Sequence, residues 1–207
     1  MIKDEHQAQD FCAQRADATA MERLSKFAEL LSEENDKQNL VSSATLEQVW
    51  LRHFADSLQL LDHVPRGTGL WVDLGTGAGF PGMAIAIARP DHPVLLVESR
   101  KRRTEWLGRL ATELGLTNVQ VAACRIEALD SVPASVISAR AFAPLTKLLS
   151  LSARFSTPST AWLLPKGRSA AHELAEQPQV IQRMFHVEHS VTDGTGGILV
   201  GRGIPQL

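Results

Sequence analysis

The stretch Val72-Asp73-Leu74-Gly75-Thr76-Gly77-Ala78-Gly79-Phe80-Pro81-Gly82 decides the fold. An apolar run carrying one acid reads as a short strand. Glycines at alternate positions straight after it let the chain turn tightly and bring bare backbone against a ligand. Downstream, short apolar runs alternate with longer amphipathic ones. Residues 70–74, Val94-Leu95-Leu96-Val97, Val119-Gln120-Val121-Ala122, Ser135-Val136-Ile137-Ser138 and Ala161-Trp162-Leu163-Leu164 read as strands, with helices over 83–88 and 102–114. Two last strands, near 180–191 and 197–200, have no helix between them and are expected to pair antiparallel. Continuous apolar strands alternating with helices predict an α/β fold, a doubly wound and mostly parallel seven-stranded sheet covered on both faces.

Upstream, residues 1–65 read as helical. The stretch 20–37 sets Leu24, Phe27 and Leu31 on one stripe, and 45–61 carries Leu46, Val49, Trp50, His53, Phe54, Ser57, Leu58 and Leu61 at three- and four-residue spacing. Thr45, with Gln48 three residues on, is the expected capping box. The turn Pro65-Arg66-Gly67-Thr68-Gly69 divides an N-terminal helical extension, 1–65, from a ligand-binding domain, 66–207.

Composition narrows the class. With 44% hydrophobic and 21% charged residues over 207 positions, the chain suits one globular domain with an appendage. Its polar start predicts no signal peptide, and no apolar run reaches the ~20 residues that cross a bilayer. Cys12 and Cys124 lie far apart outside any CxxC pair, as expected of reduced thiols in a cytoplasmic protein. A net charge of −2 gives no overall attraction to nucleic acid, yet a local basic face suffices, and Arg100-Lys101-Arg102-Arg103 is a dense basic run. His186 and His189 point to opposite faces of a strand, so no metal is expected there.

The glycine loop admits two cofactors. Gly77, Gly79 and Gly82 satisfy GxGxxG and Glu98 follows Gly77 by 21 residues, so a NAD-binding oxidoreductase or a non-catalytic nucleotide-binding regulator remains open. Two details favour S-adenosylmethionine. Asp73, expected at the mouth of the loop, repels a pyrophosphate and attracts a methionyl ammonium. Aligned on Gly75, Phe80 replaces the third glycine of the dinucleotide pattern and with Pro81 leaves little room for a diphosphate. Glu98, ending the second strand, can accept both ribose hydroxyls in either case.

The segment from Asp73 to Gly82 resembles the cofactor loop of the bacterial 16S rRNA guanine-N7 methyltransferases, the RsmG or GidB family. Further matches fall in order: His53-Phe-Ala-Asp56-Ser57-Leu58, Glu98-Ser99 with Arg102-Arg103 and Trp106-Leu107, Arg125-Ile126-Glu127, Ala139-Arg140-Ala141, and Lys166-Gly167. They run from about Asn39 to Gly167. Mild departures are Glu98 for Asp, Arg102 for Lys, Ala139 for Ser and Val41 for Thr, and the tail after Val191 matches poorly.

The resemblance implies a class I, Rossmann-like methyltransferase that methylates N7 of a guanine in 16S rRNA, with S-adenosylmethionine as cofactor. It implies that Gly75 and Phe80, within the Asp73, Gly75, Gly77 and Gly79 loop, contact the cofactor beside Glu98. Ile126 and Glu127 would line the adenine, and Arg140 would reach the methionyl end. Lys166, Arg102 and Arg103 are candidates for RNA phosphates. His53 and Asp56 are candidates for the catalytic cleft, by positioning and without a general base, since N7 carries no proton. The expected partner is 16S rRNA or the small ribosomal subunit, met by a cytoplasmic monomer. A methyltransferase for protein or small molecules stays open, because fold alone does not select a substrate.

Overall fold

The computed structural model describes residues 1–207. Helices α1 (Glu5–Ala13), α2 (Ala18–Asn35) and α3 (Ser43–Leu46) lead into a π-helical turn, Trp50–Ala55. It continues through α4 (Asp56–Leu58) and a 3₁₀ turn, Gln59–His63. Then follow β1 (Trp71–Leu74), α5 (Gly82–Ala88), β2 (Val94–Val97), α6 (Lys101–Glu113), β3 (Val119–Ala122), β4 (Val136–Ser138) and α7 (Leu145–Ser152). Last come β5 (Ala161–Gly167), α8 (Ala170–Ala175), α9 (Gln179–Met184), β6 (Phe185–His189) and β7 (Gly197–Arg202).

The seven strands form one sheet in the order β3-β2-β1-β4-β5-β7-β6. The first five are parallel, and β7 inserts antiparallel between β5 and β6, so the expected architecture and its antiparallel ending are both present. Strand parity builds the core on two faces. Trp71, Val94 and Leu96 join the side that carries α2, α5 and α6. Val72, Leu74, Leu95 and Val97 join the side covered by α7, α8 and α9. Trp71 and Trp162 are fully buried on opposite faces. Cutting either to alanine would cost ~3–5 kcal/mol. The helices before β1 contribute Leu24, Phe27, Phe54 and Leu58 to the first of these cores.

Two local readings are corrected. The strand expected near 180–191 starts only at Phe185. Residues Gln179–Met184 form a helix because Pro178 stands at its N-cap and Ile181 turns inward on a helical face. The helix expected over 45–61 is not uniform, and Ser42, rather than Thr45, caps its start by accepting from the Thr45 N–H at 3.3 Å. Its middle widens into the π turn, whose first two amides, Trp50 N–H and Leu51 N–H, donate to the Glu5 carboxylate at 3.0 and 2.7 Å. A carboxylate from α1 thus caps a turn some 45 residues downstream. No helix is long and apolar enough to cross a membrane.

Candidate active site

Two cavities open along the carboxyl edge of the parallel strands, and Ala141 lines both. Ala141 follows β4 in a left-handed conformation, φ 52°, and so turns the chain between them.

The first cavity, about 420 Å³, lies over β1, β2 and β3 and is built largely from backbone. Gly75 lines it at φ 67°, and a Cβ there would overlap the ring of Phe142. Glu98 lines it with its carboxylate already ordered. Oε1 accepts from Ser99 N–H and Arg100 N–H at 2.7 and 2.8 Å, and Oε2 accepts from Gly77 N–H at 3.2 Å. Ile126 and Glu127 form the far wall, and Arg103 stands 3.8 Å from Glu98 Oε2. Glycine-lined backbone, a carboxylate after the second strand and an apolar wall after the third fit an adenosine with a short polar extension. This donor and acceptor set suits S-adenosylmethionine.

Asp73 does not stand at the mouth of this loop. It is fully buried beneath it, because strand parity turns it to the same face as Trp71. Oδ2 accepts from Gly82 N–H at 3.0 Å, and Oδ1 accepts from Ser138 Oγ at 2.6 Å, which in turn accepts from Trp71 Nε1 at 2.8 Å. Burial raises its pKa, against the hydrogen bonds from Ser138 and Gly82. Asp73 therefore holds the loop from below. A Cβ at Gly82 would come within 2.7 Å of Asp73 Cβ, so the helix start can approach the strand only with glycine there. Phe80 likewise turns inward, stacked between Phe27 at 5.0 Å and His53 at 4.8 Å. Neither residue lines either of these two cavities, nor do Gly77 and Gly79.

The second cavity, about 500 Å³, is built from side chains and gathers His53, Asp56, Arg140 and Lys166. Arg140 Nη1 donates to Arg52 O and to Asp56 Oδ2, each at 3.2 Å, and Nη2 lies 3.0 Å from His53 Nδ1. Because a guanidinium only donates, His53 Nδ1 is the acceptor and the ring proton sits on Nε2. Burial, then the charges of Arg140 and Arg52, hold the His53 pKa down to about 3, so the imidazole is neutral at physiological pH. Asp56 Oδ1 accepts from Gln59 Nε2 at 2.9 Å and Thr192 Oγ1 at 2.8 Å. Gln59 Oε1 accepts from Val191 N–H at 2.9 Å, so this network clamps the loop between β6 and β7.

The RNA candidates separate. The Lys166 ammonium is buried against Ala143 O and Glu173, at 2.6 and 2.9 Å, which leaves it little charge to offer a phosphate. Arg103 belongs to the first cavity. Arg102 is exposed beyond both cavities and donates to Lys37 O at 2.8 Å. Sequence reasoning missed Arg52, Thr192 and Asp193. The signal available for the last two was the turn-rich run Thr192-Asp193-Gly194-Thr195-Gly196-Gly197, which reads as loop and says nothing of what it faces.

Sheet order, antiparallel ending and glycine cradle define the class I methyltransferase fold. Solved structures agree: a ribosomal protein L11 methylase from Lactobacillus delbrueckii aligns at TM-score 0.58 and 13% identity, over 73% of this chain and 79% of that one. A SAM-dependent methyltransferase from Aquifex aeolicus aligns at TM-score 0.56 and 16% identity, over 73% and 92%. The family model for rRNA small subunit methyltransferase G, GidB, matches residues 20–197, and the chain belongs to that family. Its relatives include the ribosomal RNA small subunit methyltransferase G of Erythrobacter litoralis, 58% identical over 98% of both chains. That of Novosphingobium aromaticivorans is 57% identical over 90% of this chain and 82% of the relative.

Proposed function

We propose that the protein uses S-adenosylmethionine to methylate N7 of a guanine in 16S ribosomal RNA, as a monomer in the cytoplasm. The observation that carries the reading is the pair of cavities meeting at Ala141, one suited to an adenosine and the other polar and open to a base. Family membership supports the rRNA substrate. In this reading residues 66–207 hold the cofactor, and the extension 1–65 supplies the acceptor wall through His53 and Asp56.

When bound, the cofactor supplies an electrophilic methyl group on a sulfonium. Glu98 would accept the ribose hydroxyls, Gly75 would pass the chain beneath the methionyl carbons, and Ile126 and Glu127 would flank the adenine. Arg140 uses three of its five N–H groups within the protein, which leaves two to hold the methionyl carboxylate. N7 presents an in-plane lone pair and no proton, so neutral His53 has no proton to remove. The protein's contribution is to hold the base in line, an orientation effect of up to ~7–11 kcal/mol. Asp56 stabilises positive charge as it reaches the guanine ring. The exposed Arg102 remains the best phosphate contact of the three candidates.

The decisive experiment is a mass-spectrometric search for 7-methylguanine in 16S rRNA from cells with and without the gene. One 7-methylguanine should disappear on deletion and return with the wild-type copy. An unchanged modification pattern would overturn the rRNA assignment.

A further inference from the structure

Guanine and adenine both present an N7 lone pair, so attack through N7 does not by itself choose the base. Selection must come from another edge. N1–H and the N2 amino group, both donors, mark guanine, whereas adenine offers an acceptor at N1. A carboxylate with open lone pairs reads that difference directly.

Two acids line the second cavity, Asp56 and Asp193. Asp56 is already engaged on both oxygens, by Arg140, Gln59 and Thr192. Asp193 is not. Its Oδ1 accepts from Thr195 N–H at 2.9 Å and Thr195 Oγ1 at 2.8 Å, which fixes the side chain. Those two bonds come first in holding the carboxyl below its ordinary pKa, with Arg52 and Arg168 adding to them. Oδ2 lies 3.9 Å from Arg52 Nη1, too far for a hydrogen bond, and keeps its lone pairs open. A pair this exposed is worth little and yields readily to a ligand.

Strand order supplies the layout. Ala141, on the wall shared with the first cavity, follows β4, while Asp193 sits in the loop leading into β7, two strands further along the same edge. In guanine, N7 and the N1/N2 edge lie on opposite sides of the base. A guanine whose N1/N2 edge meets Asp193 therefore turns N7 toward Ala141 and the first cavity.

We infer that Asp193 is the specificity-determining residue of the acceptor cavity, accepting N1–H and N2–H of the target guanine through Oδ2. This rests on the methyltransferase reading above. It gives the loop after Val191, most of which lies inside the segment that the family model matches, the task of choosing the base.

The test uses small subunits reconstituted on 16S rRNA with either guanine or inosine, which lacks the N2 amino group, at the methylated position. Wild-type protein should methylate guanine about tenfold or more faster than inosine, since a site built to accept a hydrogen bond rejects the analogue that cannot donate it. Asp193→Asn keeps the oxygen that Thr195 holds and turns an amide donor toward the base. It should slow methylation of guanine by about tenfold and erase the preference over inosine. Its S-adenosylhomocysteine affinity and melting temperature should stay at the wild-type values. Equal wild-type rates on the two RNAs overturn the inference even if the variant fails to fold, as does an Asp193→Asn enzyme that keeps rate and preference. A wild-type protein that binds S-adenosylhomocysteine yet methylates neither RNA overturns the functional reading itself, and this inference with it.

Discussion

The two cavities face each other across one residue and are built on opposite plans. The first is a backbone structure in which glycines, strand ends and amide groups around Glu98 set the shape. The second is a side-chain structure in which Arg140 is fixed by His53, Asp56 and a carbonyl of the π turn, and the far wall is a loop tied down through Gln59. A backbone-built site fails when a Cβ is added. A network site fails when one partner is withdrawn and the others are left with unsatisfied charge.

The sharpest way to break the contrast is Gly75→Ala. The left-handed backbone and the overlap with Phe142 act together, and we expect S-adenosylhomocysteine binding, measured by calorimetry, to weaken by about a hundredfold. Binding within threefold of wild type would detach the cofactor from this cavity. Asp56→Ala should do the converse. Withdrawing the acceptor shared by Arg140, Gln59 and Thr192 is expected to cut turnover by about tenfold and to weaken S-adenosylhomocysteine binding only about threefold, since Arg140 keeps its bonds to His53 and Arg52 O. Loss of affinity instead of turnover would merge the two cavities into one functional unit.

The smallest effect concerns pH. His53 titrates near 3 in the folded protein, whereas an unfolded chain takes up that proton below about 6.5. Protons therefore favour the unfolded state over this window. Stability present above pH 6.5 drains away as pH falls toward 3, by at most ~1.4 kcal/mol per pH unit for one group. In His53→Gln, which retains an acceptor for Arg140, denaturant unfolding between pH 7 and pH 5 should show a shallower loss than in wild type. Identical slopes would mean that His53 is not held neutral.

The same contrast explains what could be read from residues alone. Every parallel strand announces itself as an apolar run, and alternate glycines after β1 mark the turn beside the first cavity. These are local properties. The charge of Asp73 suggests a ligand contact, whereas the strand parity it shares with Trp71 buries it beneath the loop. The π turn left no trace in spacing, because His53 and Phe54 fit an α-helical stripe just as well. Lys166 reads as a free cation until Glu173, seven residues on, folds back against it. Asp193 reads only as a turn residue for a related reason, since Arg52, His53, Asp56 and Arg140, which share its cavity, lie far away in the chain.

That long reach has a consequence for the newly made protein. The residues lining the first cavity all lie at or before Leu151, whereas Gln59 meets Val191 across 132 residues. On the ribosome, chains emerge from the N-terminus and gain structure in that order. The lining of the first cavity is translated before the hairpin that completes the second, so an unfinished chain lacks Asp193 and with it the inferred means of choosing the base.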